Sequence, residues 1–457
     1  MNGKNLAVIV LAAGQGTRMK SALPKVLHKL AGHPMIGHVL DAAAPLMPER
    51  VIVVVGPDMA PVAEFVMPAE TTIQSPALGT GHAVKVALEA MAESSKATAR
   101  EVLVLFGDSP LITGETLSAL LDERRRPPEA SVAVLGMRPQ DPGAYGRLVM
   151  GDDGNLDAIV EAKDATDAQR AITLCNSGVM AIDGNRAAEL VSAIGNRNVK
   201  QEFYLTDIVG IARGLGLSAR VLEAPADELL GVNSRAELAV AEATLQQRLR
   251  GRHMAAGVTL IDPTTVYFCT DTAIGRDTVI EPSVVFGPCV TVGEGVEIRA
   301  FSHIAGAQIG DRAIIGPYAR LRPGAVLDEN VHVGNFVEVK QARIGSGSKA
   351  NHLTYIGDAE IGRGVNIGAG TITCNYDGFV KSQTKIEDGV FIGSNSALVA
   401  PVTVGAGAIV GAGSVIVRDV PPDALSVARG EQVDRAGVAV RLRELGQAKK
   451  KQKQKKT

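Results

Sequence analysis

From Ile274 onward an aliphatic or aromatic residue returns at every sixth position. The series runs Ile274, Ile280, Phe286, Val292, Ile298, Ile304, then, after one step of five, Ile309, Ile315, Leu321, Leu327, Val333, Val339. It continues, with two further steps of five, through Ile344, Ala350, Ile356, Ile361 and Ile367, and again through Ile386, Ile392, Leu398, Val404, Val410 and Ile416. Helices repeat about every 3.6 residues and strands about every 2, so a period of six needs a chain that turns a corner after each hexad. A parallel β-helix with three flat faces per coil does this, with one apolar side chain per face pointing to the axis. Glycine often follows the apolar residue, as at Gly275, Gly287, Gly293, Gly310, Gly316, Gly362, Gly393 and Gly405, and is expected to permit the corner. The register breaks between Ile367 and Ile386, where Thr373–Lys385 lacks the pattern. That stretch is expected to be a loop, and loops on rigid repeats often carry function.

This coil also accounts for the composition. Glycine fills 50 of 457 positions, tryptophan is absent and aromatics total 3%, as expected of a core filled by aliphatic side chains. The glycines lack the every-third spacing of collagen, and 46% hydrophobic residues exclude a disordered chain. A net charge of −2 argues against a nucleic-acid binder held by phosphate contacts. Lys449–Lys456, with six lysines in eight residues, is expected to be a solvated, disordered tail. Cys175, Cys269, Cys289 and Cys374 have no metal-ligand or disulfide spacing, consistent with reduced thiols and a cytoplasmic location. The apolar run Leu6–Ala13 is too short to span a bilayer. Lys4 ahead of it admits a signal peptide, but cleavage there would destroy the motif that follows.

Before about residue 230 the pattern is different. Leu6–Leu11, Val51–Val55, Val102–Phe106 and Ser131–Leu135 read as buried strands separated by helices such as Gly81–Glu93. The expected fold is an α/β, Rossmann-like domain with a mostly parallel sheet. Ser234–His253 reads as one long helix, with Ser234 as N-cap and Glu237 three residues on. The expected organisation is an α/β domain over 1–232, a linker helix over 233–253, the β-helix over 254–430 and a tail over 431–457.

Strand Leu6–Leu11 runs into Ala12-Ala13-Gly14-Gln15-Gly16-Thr17-Arg18-Met19, with Pro24-Lys25 soon after. Two glycines let backbone N–H groups fold around phosphate oxygens, and Arg18 and Lys25 add positive charge. This string resembles the signature of the sugar-1-phosphate nucleotidyltransferases. With the hexad coil behind it, nearly the whole chain resembles the bacterial family that joins N-acetylglucosamine-1-phosphate uridylyltransferase to glucosamine-1-phosphate acetyltransferase.

The resemblance implies the following roles. Leu11, Ala12, Ala13, Gly14 and Lys25 bind UTP, Gln74 reads uracil, and Gly79 and Thr80 form the nucleotide turn. Gly146, Glu161 and Asn176 hold the acetylated sugar. Asp108, at a strand end where ligands of parallel sheets bind, and Asn233 hold Mg²⁺, which favours oxygen ligands. Arg18 and Lys25 stabilise charge as the sugar phosphate attacks UTP and expels pyrophosphate.

On the coil, His352 and Tyr355 lie in one hexad, Asn375 and Tyr376 in the break, and Arg322 and Lys340 stand where other hexads carry glycine. Cations there suit an anionic substrate. The same resemblance makes His352 the general base of acetyl transfer, since imidazole titrates near neutral pH. Arg322 and Lys340 hold the sugar phosphate, and Tyr355, Asn366 and Asn375 position the sugar. Ala369, Asn375, Tyr376, Ser394, Ala412 and Arg429 meet acetyl-CoA. It further implies a left-handed coil and a homotrimer with acetyl sites between subunits. One alternative is a monofunctional nucleotidyltransferase whose coil serves only assembly. Another, a non-catalytic repeat scaffold, must discard the phosphate-loop string.

Overall fold

The computed structural model describes residues 5–93 and 99–454. Lys4, and Lys455 and Lys456 of the lysine run, lie outside the described residues. The chain divides into two compact units. One comprises the residues up to Ala255 with Tyr267–Thr272, and the other Ala256–Val266 with the residues from Ala273.

In the first unit, strands Leu6–Leu11, Arg50–Val55, Glu101–Phe106 and Val132–Met137 form where the β-branched runs foretell them. They belong to a nine-stranded sheet. Leu6–Leu11 pairs in parallel with Arg50–Val55 on one side and Glu101–Phe106 on the other. Cys175–Asp183 runs antiparallel between Glu101–Phe106 and Val132–Met137. Both sheet faces are buried, one around Val8, Val10, Leu103 and Leu105 and the other around Ile9, Ile52, Val102 and Val104. Buried faces on both sides explain why these strands read as continuous apolar runs. The switch in strand order beside Leu6–Leu11 opens a crevice at the carboxyl ends, where such sheets bind ligands.

The long helix spans Arg235–Ala255. Its Ser234 hydroxyl accepts from the Glu237 N–H at 3.2 Å, and the Glu237 carboxylate accepts from the Ser234 N–H at 3.0 Å, the reciprocal cap its sequence foretells. Ala241, Leu238 and Leu245 pack on Leu30, Met35, Leu111 and Val232. The helix read from sequence as a link therefore packs within the first unit.

The second unit is a coil of short parallel strands on three faces. One face stacks Thr259–Leu260 through Leu425–Ser426 as a ten-stranded sheet, and two more share a fourteen-stranded sheet. The hexad residues, such as Ile280, Ile298, Ile315, Val333 and Ile367, are buried on the axis. The arrangement is that of a left-handed β-helix of hexapeptide repeats. The expected use of glycine needs correction. Seven of the eight glycines named above have no left-handed φ; only Gly316 does. A Cβ on Gly275 would sit 2.6 Å from the Gly293 carbonyl carbon, and one on Gly310 2.7 Å from that of Asp328. These glycines permit close stacking of coils. Left-handed corners are taken by varied residues, including Phe301, Tyr318, Phe336 and Leu353.

The excursion is shorter than its sequence suggests, because Thr373 and Cys374 belong to strand Ile372–Cys374 and Thr384 and Lys385 to strand Thr384–Ile386. The lysine run, expected to be disordered, is helical up to Gln454, at the end of helix Val438–Gln454, which is exposed at every residue whose side chain is described. No helix among the described residues is long and apolar enough to cross a membrane.

Candidate active sites

The segments that follow Leu6–Leu11 and Glu101–Phe106 line a cleft of about 390 Å³ together with Gln74, Gly79, Thr80 and Glu161. Leu11, Ala12, Ala13, Gly14, Lys25 and Asp108 all face it. A larger groove of about 690 Å³ opens at the opposite ends of Arg50–Val55 and Glu70–Ile73, away from the strand ends that gather these residues.

Helix Thr80–Glu93 starts at the cleft, so its free N–H groups and dipole favour an anion there. Gly79 adopts φ +107°, and a Cβ on it would lie 2.6 Å from the Phe203 carbonyl oxygen. The Gly81 N–H donates to that oxygen at 2.8 Å, and the Leu205 N–H donates to the Thr80 hydroxyl at 3.0 Å. This clamp brings Lys200, Glu202 and Tyr204 to the cleft wall. Sequence reasoning missed these three, which sit in a loop without a motif.

Gln74 is buried. Its amide nitrogen donates to the Gly79 carbonyl at 2.9 Å and lies 3.2 Å from His82 Nδ1. Of the donor and acceptor expected of this amide, the carbonyl oxygen is the group left without a described partner. Glu161 accepts from the Thr206 hydroxyl at 3.2 Å, and burial pushes its carboxyl above the usual range. Gly146 packs beside it: a Cβ there would lie 3.6 Å from a Glu161 carboxylate oxygen. The Asn176 N–H donates to the Gly146 carbonyl at 2.8 Å, while its side-chain oxygen accepts from the Gly178 N–H at 3.0 Å.

The Lys25 ammonium touches the Asp108 carboxylate and donates to Asn233 Oδ1 at 3.0 Å. Two side-chain oxygens thus converge on one cationic position, a donor set that fits a hard divalent cation. Gly16 sets the Lys25 backbone. It adopts φ +62°, and a Cβ on it would sit 2.5 Å from Lys25 Cβ. Gly14 has open space where its Cβ would be. Arg18 is exposed and has no partner among the described residues, so the structure does not bring it onto the cleft wall with Lys25.

On the coil, His352 Nδ1 lies 2.6 Å from Asn335 Oδ1. Arg322 donates to the Glu338 carboxylate at 2.7 Å, so this cation already has a counter-ion. Lys340 faces Lys381 of the excursion, and contact with that second ammonium holds its pKa below the usual lysine range. Sequence reasoning missed Lys381, which carries no motif within the excursion, and Glu338 and Asn335, which read as ordinary surface residues in the hexad text. Asn375 is buried and its amide contacts the Asp358 carboxylate. Tyr376 is exposed, and its hydroxyl donates to the Gly378 carbonyl at 2.6 Å. Tyr355 pairs with Glu338 across neighbouring strands, and Asn366 with Lys349.

The remaining residues form one edge. The Gly370 N–H donates to the His352 carbonyl at 3.4 Å, Asn395 N–H to Ala369 at 2.7 Å and Gly413 N–H to Ser394 at 2.8 Å. The Arg429 guanidinium donates to the Ala412 carbonyl at 2.7 Å. His352, Ala369, Ser394, Ala412 and Arg429 therefore climb successive coils. Four steps at about 4.8 Å make a track of about 19 Å.

A crevice-bearing α/β unit joined to a hexapeptide coil defines a two-part transferase. Residues 8–174 match the MobA-like NTP transferase domain, and 271–306, 306–341 and 383–418 match the bacterial transferase hexapeptide of six repeats. The chain is 58% identical over 453 residues to the Bifunctional protein GlmU of Paramagnetospirillum magneticum, covering 99% of this chain and 100% of the relative. It is 52% identical to that of Roseobacter denitrificans, covering 98% and 99%. With the protein of the same name from Agrobacterium fabrum it shares 52% identity over the full length of both. The chain belongs to the bifunctional GlmU family.

Proposed function

We propose that this bifunctional enzyme makes UDP-N-acetylglucosamine in two steps. The second unit moves the acetyl group of acetyl-CoA to the amine of glucosamine 1-phosphate. The α/β domain, over 1–232, then transfers uridylyl from UTP to N-acetylglucosamine 1-phosphate and releases pyrophosphate. The observation that carries the reading is the presence of separate polar constellations in one chain, Lys25 with Asp108 and Asn233 in the first unit, and His352 with Asn335 and Lys340 with Lys381 on the coil.

For acetyl transfer, His352 Nε2 takes a proton from the amine as nitrogen bonds the acetyl carbon, and as the C–S bond breaks that proton passes to the departing sulfur, so coenzyme A leaves as thiol. Lys340, Lys381 and Arg322 hold the sugar phosphate, with Tyr355, Asn366 and Asn375 beside the sugar. The edge through Ala369, Ser394 and Ala412 to Arg429 suits an extended pantetheine arm, its phosphates toward Arg429, with Tyr376 at the margin.

For uridylyl transfer, Gln74 accepts from the uracil N3–H, and the N-terminus of Thr80–Glu93 and the Gly14 backbone receive phosphate oxygens. Glu161, Asn176 and the Gly146 backbone meet the acetylated sugar. Asp108 and Asn233 would hold Mg²⁺, which when bound withdraws charge from the phosphoryl oxygens. Lys25 and Arg18 neutralise the leaving pyrophosphate, Arg18 from its exposed position.

We further propose a homotrimer built on the coil. Phe301, Tyr318 and Phe336 are exposed on one corner and stack with centroids 4.9 and 5.3 Å apart. Exposed Phe391, Ile409 and Leu425 line one adjoining face, and Ile372 and Val415 the other. Such an apolar corner calls for a partner surface, and the His352 edge runs beside it. With UTP and acetyl-CoA as substrates, the enzyme acts in the cytoplasm. The test mixes protein, glucosamine 1-phosphate, acetyl-CoA, UTP and Mg²⁺ and follows free thiol and pyrophosphate separately. Both products support the reading; pyrophosphate from preacetylated sugar without thiol release supports a coil that only assembles.

A further inference from the structure

We infer that Asn335 is a positioning residue for acetyl transfer: it fixes the tautomer and ring orientation of His352. The inference rests on the reading of His352 as the base. Asn335 and His352 are register partners on neighbouring strands of one coil face, His332–Asn335 and Lys349–His352. The strand register therefore places the two side chains side by side before any ligand arrives. The approach is tight, because a Cβ on Gly334 would overlap the Asn351 carbonyl oxygen. The backbone around the histidine is pinned as well. The Leu353 N–H donates to the Asn335 carbonyl at 3.0 Å, and the Thr354 hydroxyl donates to the His352 carbonyl at 2.8 Å.

With the backbone fixed, the 2.6 Å contact between His352 Nδ1 and Asn335 Oδ1 decides the chemistry of the ring. An amide oxygen only accepts, so Nδ1 carries the proton and donates. The lone pair then sits on Nε2, free to take a proton from an amine. The opposite tautomer, with the proton on Nε2, has no acceptor site facing substrate. A carboxylate in place of the amide would hold the same tautomer while stabilising the imidazolium. An amide holds it without adding charge.

Strand register and electrostatics place polar neighbours near the ring. The preceding coil brings His332, whose imidazole senses both His352 and Lys349. The ring's own strand brings Lys349, and the following coil contributes the neutral Asn366 at that register. None of them is an anion that could replace the acceptor.

The test uses the full-length protein, with uridylyl transfer as an internal control of folding. Asn335→Ala is expected to lower kcat for acetyl transfer about 10- to 100-fold, leaving KM for glucosamine 1-phosphate and acetyl-CoA within about two-fold. Asn335→Asp is expected to restore much of kcat and to move the acid limb of the pH–rate profile upward by about one unit. A merely structural role would not move that limb. Nitrogen-15 histidine NMR of the wild type, with His352→Gln used to assign the signal, is expected to show the proton on Nδ1, and Asn335→Ala to shift it toward Nε2. An unchanged rate in Asn335→Ala, an unmoved pH limb in Asn335→Asp, or a wild-type proton on Nε2 would each overturn the inference. Normal acetyl transfer by His352→Ala would instead overturn the base reading on which it rests.

Discussion

Gly16→Ala isolates the way the phosphate loop sets Lys25. Gly16 lies at φ +62°, and the added methyl would stand 2.5 Å from Lys25 Cβ. The left-handed conformation alone costs an alanine about 1–2 kcal/mol. Carbon atoms rest about 3.5–4.0 Å apart, so the Lys25 segment must also yield by about 1 Å. Lys25 is the group that meets Asp108 and Asn233, and a 1 Å misplacement at a reacting centre costs about 100-fold in rate, or about 2.7 kcal/mol of barrier. Pyrophosphate release from UTP and N-acetylglucosamine 1-phosphate should fall by about that factor. Thermal unfolding of the first unit should fall by a few degrees, and acetyl transfer should stay at the wild-type rate. Gly14→Ala is the control for the loop's stability, because its methyl meets open space and should leave the melting temperature unchanged. A Gly16→Ala protein with wild-type uridylyl transfer would refute the reasoning.

Three further outcomes follow from the same geometry. His253 is buried against Phe268 with centroids 4.5 Å apart, and burial lowers its pKa to about 4. The folded state thus binds fewer protons than the unfolded chain between pH 6.5 and about 4, and stability is complete above that window and falls as pH drops through it. His253→Leu should flatten this slope in melting temperature measured from pH 7 to 4.5. Lys381→Ala should raise KM for glucosamine 1-phosphate about ten-fold with little change in that for acetyl-CoA, and KCl should weaken sugar-phosphate binding in the wild type. Tyr318→Glu, in the exposed aromatic stack, should convert the proposed trimer to smaller species by light scattering and reduce acetyl transfer while sparing uridylyl transfer.

Periodicity made the architecture legible. The hexads imposed three faces because no other regular structure returns a side chain to one core at that spacing. The strands of the first unit announced themselves because burial on both faces leaves no polar alternation. Glycine was legible as a requirement but misassigned in cause, since a corner and a close stacking of coils select the same residue. Lys25, Asp108 and Asn233 belong to three distant segments, and the resemblance grouped them before the fold did. Asn335 and Glu338 were hidden because a polar residue facing outward from a coil looks the same whether it meets water or a neighbour one coil away, and Lys381 because the loop that carries it has no repeat to place it against Lys340. Lys200, Glu202 and Tyr204 depend on a loop clamped by Thr80 and Phe203, a tertiary fact with no local motif.

The central claim, two independent chemistries on one chain, is tested most directly by assaying Lys25→Ala and His352→Ala side by side for thiol release and pyrophosphate release. The account expects reciprocal results: Lys25→Ala loses uridylyl transfer and keeps acetyl transfer, and His352→Ala loses acetyl transfer and keeps uridylyl transfer when supplied with N-acetylglucosamine 1-phosphate. Loss of both activities in either folded variant, or retention of both, would contradict it.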